Sequence, residues 1–373
     1  MTRLHMIFAL SFLMAGVLLL TGCLGEDYVP NHDIILIKVT PTCSLEWSKV
    51  IDTGGDDTAR TMIPTSDGGI LIQTDLTNRW SLMRFSSDGS NVWERDYIES
   101  GCLDDAITQL QNGDFVTASS GRGAVCKIDK NGNLIWNKSS VKFDRLEYSQ
   151  VYSIIETNDG GFLVTGDSQS LFRLDSEGRL LWNYFYGTEG YGNIYPIIEL
   201  KNGQSYLGVS QKNNQLFAIQ LDQSGKIIAN YSLGKYDGSP APSMNVKKNG
   251  YSIMFFNTTN AHFESVLLDD KGKIMKIQTL MNATAHCIPD TDGGFFCAGL
   301  QSDEEENRTN PFEGAKIKIM AKKMDAEGIL KWEQPVITFC RPKYRDNIEL
   351  TSIIQTSDKG YIIVGSRDNA YKC

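Results

Sequence analysis

An all-β ring of seven four-stranded blades is what this sequence predicts, and three observations predict it. A two-strand unit with an Asp-Gly or Asn-Gly turn recurs along the chain, and a second two-strand unit carrying a tryptophan follows it. The two ends of the chain then carry complementary halves of one unit. Composition agrees: 41% of the 373 residues are apolar and 22% charged, and glycine (34) far outnumbers proline (10), as in turn-rich β structure. The formal net charge is −9. Nucleic-acid binding rests on neutralising phosphates with excess Lys and Arg, so nucleic acid is not an expected partner.

The amino end reads as an address. A basic start with Arg3 is followed by an apolar run from Met6 to Leu20 and then by small residues, the pattern of a secretory signal. The run is shorter than the about 20 residues a membrane span needs. The tetrad Leu20-Thr21-Gly22-Cys23 resembles the lipobox of prokaryotic lipoproteins. That resemblance implies cleavage between Gly22 and Cys23 and lipidation (palmitate among the acyl chains) of Cys23. Residues 1–22 are then a signal peptide, 23–31 a lipidated cysteine with a short tether, and 32–373 a single domain. Two acyl chains hold a protein firmly where one binds marginally, so the expected location is a cell membrane or outer membrane, on its extracytoplasmic side.

The first repeated half-unit is a β-rich run, a tight turn and a second run. It appears as Tyr152-Ser-Ile-Ile-Glu-Thr-Asn-Asp159-Gly-Gly-Phe-Leu-Val-Thr-Gly166 and again as Thr351-Ser-Ile-Ile-Gln-Thr-Ser-Asp358-Lys-Gly-Tyr-Ile-Ile-Val-Gly365. Its turn residue recurs at Asp67, Asn112, Asp159, Asn202, Asn249, Asp292 and Asp358. Asp-Gly and Asn-Gly between β runs are strong hairpin signals, because the tight primed turns need φ > 0. The second half-unit is Leu174-Asp175-Ser-Glu-Gly178-Arg-Leu-Leu-Trp182 and its copies. Its last position is Trp47, Trp93, Trp136, Trp182, Ala229, Lys276 and Trp332, at spacings of 46, 43, 46, 47, 47 and 56 residues. Only Trp80 of the six tryptophans lies outside this slot. Four short strands per period of this length are the signature of a β-propeller. Ile34–Val50 lacks a preceding hairpin and Ile348–Gly365 lacks a following tryptophan half, so together they form a seventh blade that closes the ring and protects open strand edges.

These units resemble the tandem propeller repeats of archaeal and bacterial surface proteins, with their Asp-Gly-Gly and Asp-x-x-Gly-x-x-x-Trp motifs, over residues 32–373. Members of that family are mostly secreted or anchored binding and structural proteins, which the resemblance therefore implies here. The units also look like a shortened form of the repeat in quinoprotein dehydrogenases that carry pyrroloquinoline quinone. Here Asp129–Gly132 is one residue shorter and lacks the threonine. The propeller lipoprotein of bacterial outer-membrane protein assembly is a further relative by architecture, but with eight blades.

Catalytic chemistry is sparse. His32, His262 and His286 are scattered without the spacing of a zinc site, and no Cys-Cys pair or Gly-x-Ser-x-Gly elbow occurs. Asp290-Thr-Asp292-Gly offers two carboxylates to calcium but lacks the terminal Glu of a calcium loop; it reads as the blade-six hairpin turn. No catalytic residue, metal or cofactor is therefore expected. The insertion Ser302–Gly314 lengthens the loop between the second and third strands of blade six. Of the seven cysteines beyond Cys23, three pairs fit hairpin offsets: Cys102 with Cys126 in blade two, Cys287 with Cys297 in blade six, and Cys340 with Cys373 in blade seven. Cys43 is left over, and spacing alone leaves other pairings open. The expected function is non-enzymatic: an anchored binding or scaffold protein for a protein or glycan partner. The alternative is an envelope enzyme, a quinoprotein-like oxidoreductase or another propeller enzyme such as one that processes glycans.

Overall fold

The computed structural model describes residues 32–53, 55–76, 79–97, 101–102, 106–119, 124–138, 151–166, 169–236, 243–247, 250–257, 262–279, 286–303, 316–340, 348–368 and 371–372. Cys23, Gly22, Cys373 and most of the blade-six insertion lie outside them. The described strands form seven antiparallel sheets arranged as the blades of one propeller. Blade three shows the plan: Val151–Glu156, Phe162–Gly166, Ser170–Leu174 and Leu180–Phe185, in that order from the axis outward. The first strands of neighbouring blades touch one another around the axis. Turns between first and second strands and between third and fourth strands share one face. The second-to-third loops and the links between blades share the other.

The seventh blade is built from both ends of the chain. Ile348–Gln355 and Tyr361–Asp368 are followed in the sheet by His32–Val39 and Leu45–Ile51. Ile37 pairs with Ile363 and Leu36 with Val364. Second and third strands are buried almost throughout, polar residues included, as in Ile70–Leu76 and Ser170–Leu174, because both faces of each blade are covered by neighbours. The buried residues accordingly fall into seven clusters, one between each pair of adjacent blades. The smallest, around Met254, Phe263 and Phe295, joins blades five and six.

Every blade carries the same bulge. Arg173 pairs with Trp182 and Leu174 with Leu180, so Leu181 is the extra residue. The same skip occurs at Glu46, Val92, Ile135, Ile228, Met275 and Lys331. An extra residue in one strand is left unpaired and kinks the ladder. That is why Val92, Ile135, Leu181, Ile228 and Met275 are among the most exposed large apolar residues. The tryptophan slot is thus the third residue of each fourth strand, one step past the bulge.

The cysteines divide. Cys102 is bonded to Cys126, and Cys287 to Cys297 across directly paired positions. Cys340 does not belong to blade seven. It ends Leu330–Cys340, the eleven-residue fourth strand of blade six, whose open edge takes up Tyr371–Lys372 as a fifth strand, with Tyr371 opposite Cys340. Its pairing with Cys373 concerns residues outside those described.

Candidate functional site

The tryptophans pack between blades. Gly89, Gly132, Gly178 and Gly225 in the third-to-fourth turns have φ of +75 to +84°, and a Cβ there would collide with Trp47, Trp93, Trp136 and Trp182 of the preceding blade. Trp47 Nε1 donates to the Ser87 carbonyl and Trp93 Nε1 to that of Lys130, each at 3.0 Å. Where the tryptophan is missing, the neighbours differ. Leu200 and Leu207 face Gly272 below the Ala229 slot, and Gln278 beside Lys276 donates to the Ala326 carbonyl at 2.5 Å. The corresponding turn position in blade seven is Cys43, at φ +66° and buried. Burial pushes its thiol up to about 11, and Gln334 Nε2 donates to the neighbouring Thr42 carbonyl.

Each tryptophan is paired in the ladder with a cation: Lys38, Arg84, Lys127, Arg173 and Lys323. The blades without tryptophan have Gln220 and Leu267 there. In blades one, three, six and seven the cation reaches a turn acid of its own blade, while in blade two, where the turn residue is Asn112, Lys127 lies 3.9 Å from Asp114. Arg173 holds Asp159 with both carboxylate oxygens at 2.5 and 2.6 Å and donates to the Phe162 carbonyl at 3.1 Å. Lys38 lies 2.6 Å from Asp358, and Arg84 bonds Asp67. A second contact crosses to the next blade: Gln109, Glu156, Glu199 and Gln355 accept from the backbone N–H groups of Ser66, Gln111, Asn158 and Thr291 at 2.7–2.9 Å. Turn acid, strand cation and outer tryptophan therefore act as one structural unit in blades one, three, six and seven.

Burial would raise the Asp159 carboxyl, but the Thr157 hydroxyl, the Gly161 N–H and Arg173 outweigh it and hold it below the usual value. Asp67 and Asp358 are lowered in the same way by Thr65 and Arg84, and by Lys38 and Thr356. A depressed carboxyl contributes stability that is present above its unfolded pKa, about 3.9, and is lost as pH falls through the folded value. Denaturant midpoints should therefore drop as pH falls below about 4, and Asp159→Asn should make that acid limb shallower. An unchanged limb in the variant would remove Asp159 from the account.

The pair Asp290 and Asp292 has an ammonium where a calcium ion would need to sit. Lys323 Nζ contacts Asp290, lies 3.3 Å from Asp292 and bonds the Tyr361 hydroxyl at 2.8 Å. Burial draws Lys323 down to about 8. Tyr361 also bonds Asp290 and stacks on Phe296 at 3.7 Å, so this cluster ties blade six to blade seven. Among the described residues no three His, Cys, Asp or Glu side chains converge as a metal site. His32 begins the third strand of blade seven beside Asp56, His262 begins the third strand of blade five, and His286 is exposed at the start of blade six. They sit on different blades and do not form one site.

The face of the second-to-third loops carries a cleft of about 290 Å³ between blades three and four. Its floor is the link Gly187–Gly192, which makes a short 3-10 turn at Gly187–Glu189. Tyr186 N donates to the Gln169 carbonyl and Gly192 N to that of Gln211, clamping the link to a loop on each side. Lys212 closes one wall, donating to the Glu189 carbonyl at 2.7 Å and lying 4.6 Å over the Tyr191 ring. Gln169, Tyr191, Asn213 and Asn214 complete the lining. Gln169, Asn213 and Asn214 hold positive φ (53, 51 and 58°), and only Cys43 and Lys359 join them among described non-glycine residues. Asn213 and Asn214 form a two-residue hairpin turn that needs such angles. For Gln169 the conformation is costly, and such residues cluster at ligand sites. Sequence reading missed this cleft, since its residues come from three separate segments; the signals were the Asn213-Asn214 pair and the glycines of the link.

No family model matches the chain, and no curated protein matches it. Among solved structures it is similar to a streptogramin B lyase, at TM-score 0.54 and 12% identity over 90% of this chain and 98% of that one. It is similar too to a catalytically inactive virginiamycin B lyase from Staphylococcus aureus solved with quinupristin (TM-score 0.51, 13% identity, 89% and 99% covered). BamB from Moraxella catarrhalis aligns at TM-score 0.41 and 13% identity over 83% of this chain and 97% of that one. Likeness at these identities shows the propeller fold alone.

Proposed function

We propose that this chain is a lipid-anchored, extracytoplasmic propeller that holds a partner without doing chemistry on it. The observation that carries the reading is the cleft between blades three and four. Its walls are primary amides, glycine backbone, the Tyr191 ring and one lysine already engaged with a carbonyl. Amides donate and accept hydrogen bonds but do not exchange protons with a substrate, so this lining suits recognition rather than acid–base catalysis. Two disulfides favour an oxidising compartment, and the Leu20-Thr21-Gly22-Cys23 tetrad supplies the anchor. Crosslinking on intact cells followed by mass spectrometry should recover a partner bridged to the Gln169–Asn214 face. Absorbance spectra with and without added quinone and calcium test the enzymatic alternative: a bound chromophore would overturn the proposal.

The anchor has its own test. Cys23→Ala should release the protein from membranes or leave it as an uncleaved precursor. Unchanged fractionation together with unchanged lipid labelling would sink the lipoprotein reading.

A further inference from the structure

We infer that the cleft between blades three and four binds a neutral saccharide, an assignment that rests on the binding role just proposed and names its ligand. Gln169, Asn213 and Asn214 line the cleft together with Tyr191, and the Gln169 amide oxygen lies against Gly187 of the link. A primary amide presents a donor and an acceptor in one plane, which matches a sugar hydroxyl that donates and accepts at once. The turn backbones that carry these amides are held in defined conformations, so little backbone order is lost when they engage a ligand. The lining excludes other classes. Its one ring, Tyr191, lies under the Lys212 ammonium and is too little apolar wall for an acyl chain, and a single cation, already donating to the Glu189 carbonyl, is too little for a phosphate. A cleft of about 290 Å³ lies at the small end of ligand sites, which run about 300–1,000 Å³, and suits an end of a glycan rather than a folded partner.

A second observation extends the site. Tyr195 follows the cleft floor Gly192 by three residues, at most about 10 Å of extended chain. It lies on the innermost strand of blade four, 38% exposed, with its ring 6.1 Å from that of Tyr152 on the innermost strand of blade three. Aromatic rings of this kind offer an apolar face with a polar rim, the surface on which the CH face of a pyranose packs. Amides in the cleft and aromatics beside it together provide for one sugar ring and its neighbour.

The test uses full-length protein extracted in a detergent without a sugar headgroup. It is titrated by calorimetry with neutral tetrasaccharides of glucose, mannose, galactose and N-acetylglucosamine, with a uronate tetrasaccharide, and with a tetrapeptide. At least one neutral saccharide should bind with Kd below about 1 mM. Gln169→Gly, which the backbone accommodates, and the double variant Asn213→Gly/Asn214→Gly should each weaken that binding about tenfold, near the worth of one or two hydrogen bonds. Tyr195→Ala should weaken it independently, and the melting temperature should hold in all three. No saccharide binding, a preference for the uronate or the peptide, or affinity indifferent to the variants overturns the assignment. Those failures leave the binding role standing if crosslinks still report a partner. A saccharide that binds here and is cleaved supports the site and overturns the non-enzymatic reading instead.

Discussion

Deleting Ile348–Cys373 should unfold the whole domain rather than trim one blade. The segment supplies the two inner strands of blade seven, and with them Ile353, Tyr361, Ile362, Ile363 and Val364, all buried. At about 1.5–3 kcal/mol for each large side chain, these five account for roughly 8–15 kcal/mol. That equals the entire net stability of an ordinary domain, about 5–15 kcal/mol. The loss also opens the edge of His32–Val39 and removes the Tyr361 and Gln355 contacts to Asp290 and Thr291 of blade six. Thermal melting followed by circular dichroism checks it. A truncated protein with a cooperative transition near the parent temperature would show that closure does not hold the ring.

Trp136→Ala and Trp182→Ala should each cost about 3 kcal/mol, the lower end of the about 3–5 kcal/mol for a large aromatic truncated in a core. Both indoles are half-exposed, which sets the lower figure. Each truncation leaves the glycine of the next blade's turn, Gly178 or Gly225, facing a void. It also uncovers the ladder partner, Lys127 or Arg173. Blade four meets blade five through a well-filled cluster that includes Leu200, Leu207, Tyr251 and Phe255, while blade five meets blade six through the smallest of the interblade clusters and the Gln278 bond. Amide exchange among the strands should therefore be fastest in blade five, on the side that faces blade six. Denaturant titration decides the tryptophan question: losses below about 1 kcal/mol at both sites would remove the packing role.

Much of this architecture was legible because it is local and repeated. Asp159-Gly160 and Asp358-Lys359 mark hairpins through angles that their own few residues must adopt. The tryptophan slot recurs at a nearly constant interval because each blade needs the same contact with the next. The cations opposite the slot are equally periodic in the chain, yet their partnership with the turn acids is not written in that period. Arg173 and Asp159 are 14 residues apart, and only the pairing of the second and third strands brings them together. The same limit placed Cys340 in the wrong blade: its offset from Asp358 resembled a hairpin, but strand continuity from Leu330 assigns it to blade six.

By itself, the sequence determined the number of blades, their closure by the two chain ends, and the positions of the turns. Each of these follows from a period or from backbone angles that short segments impose on themselves. Tertiary structure alone decided what fills the space between blades. Lys323 reaches Asp290 and Tyr361 from separate strands, and Gln169, Tyr191 and Asn214 meet around one cleft from three segments. Such meetings carry no period along the chain, because they depend on how neighbouring sheets stack and on which side chains then face each other across the gap.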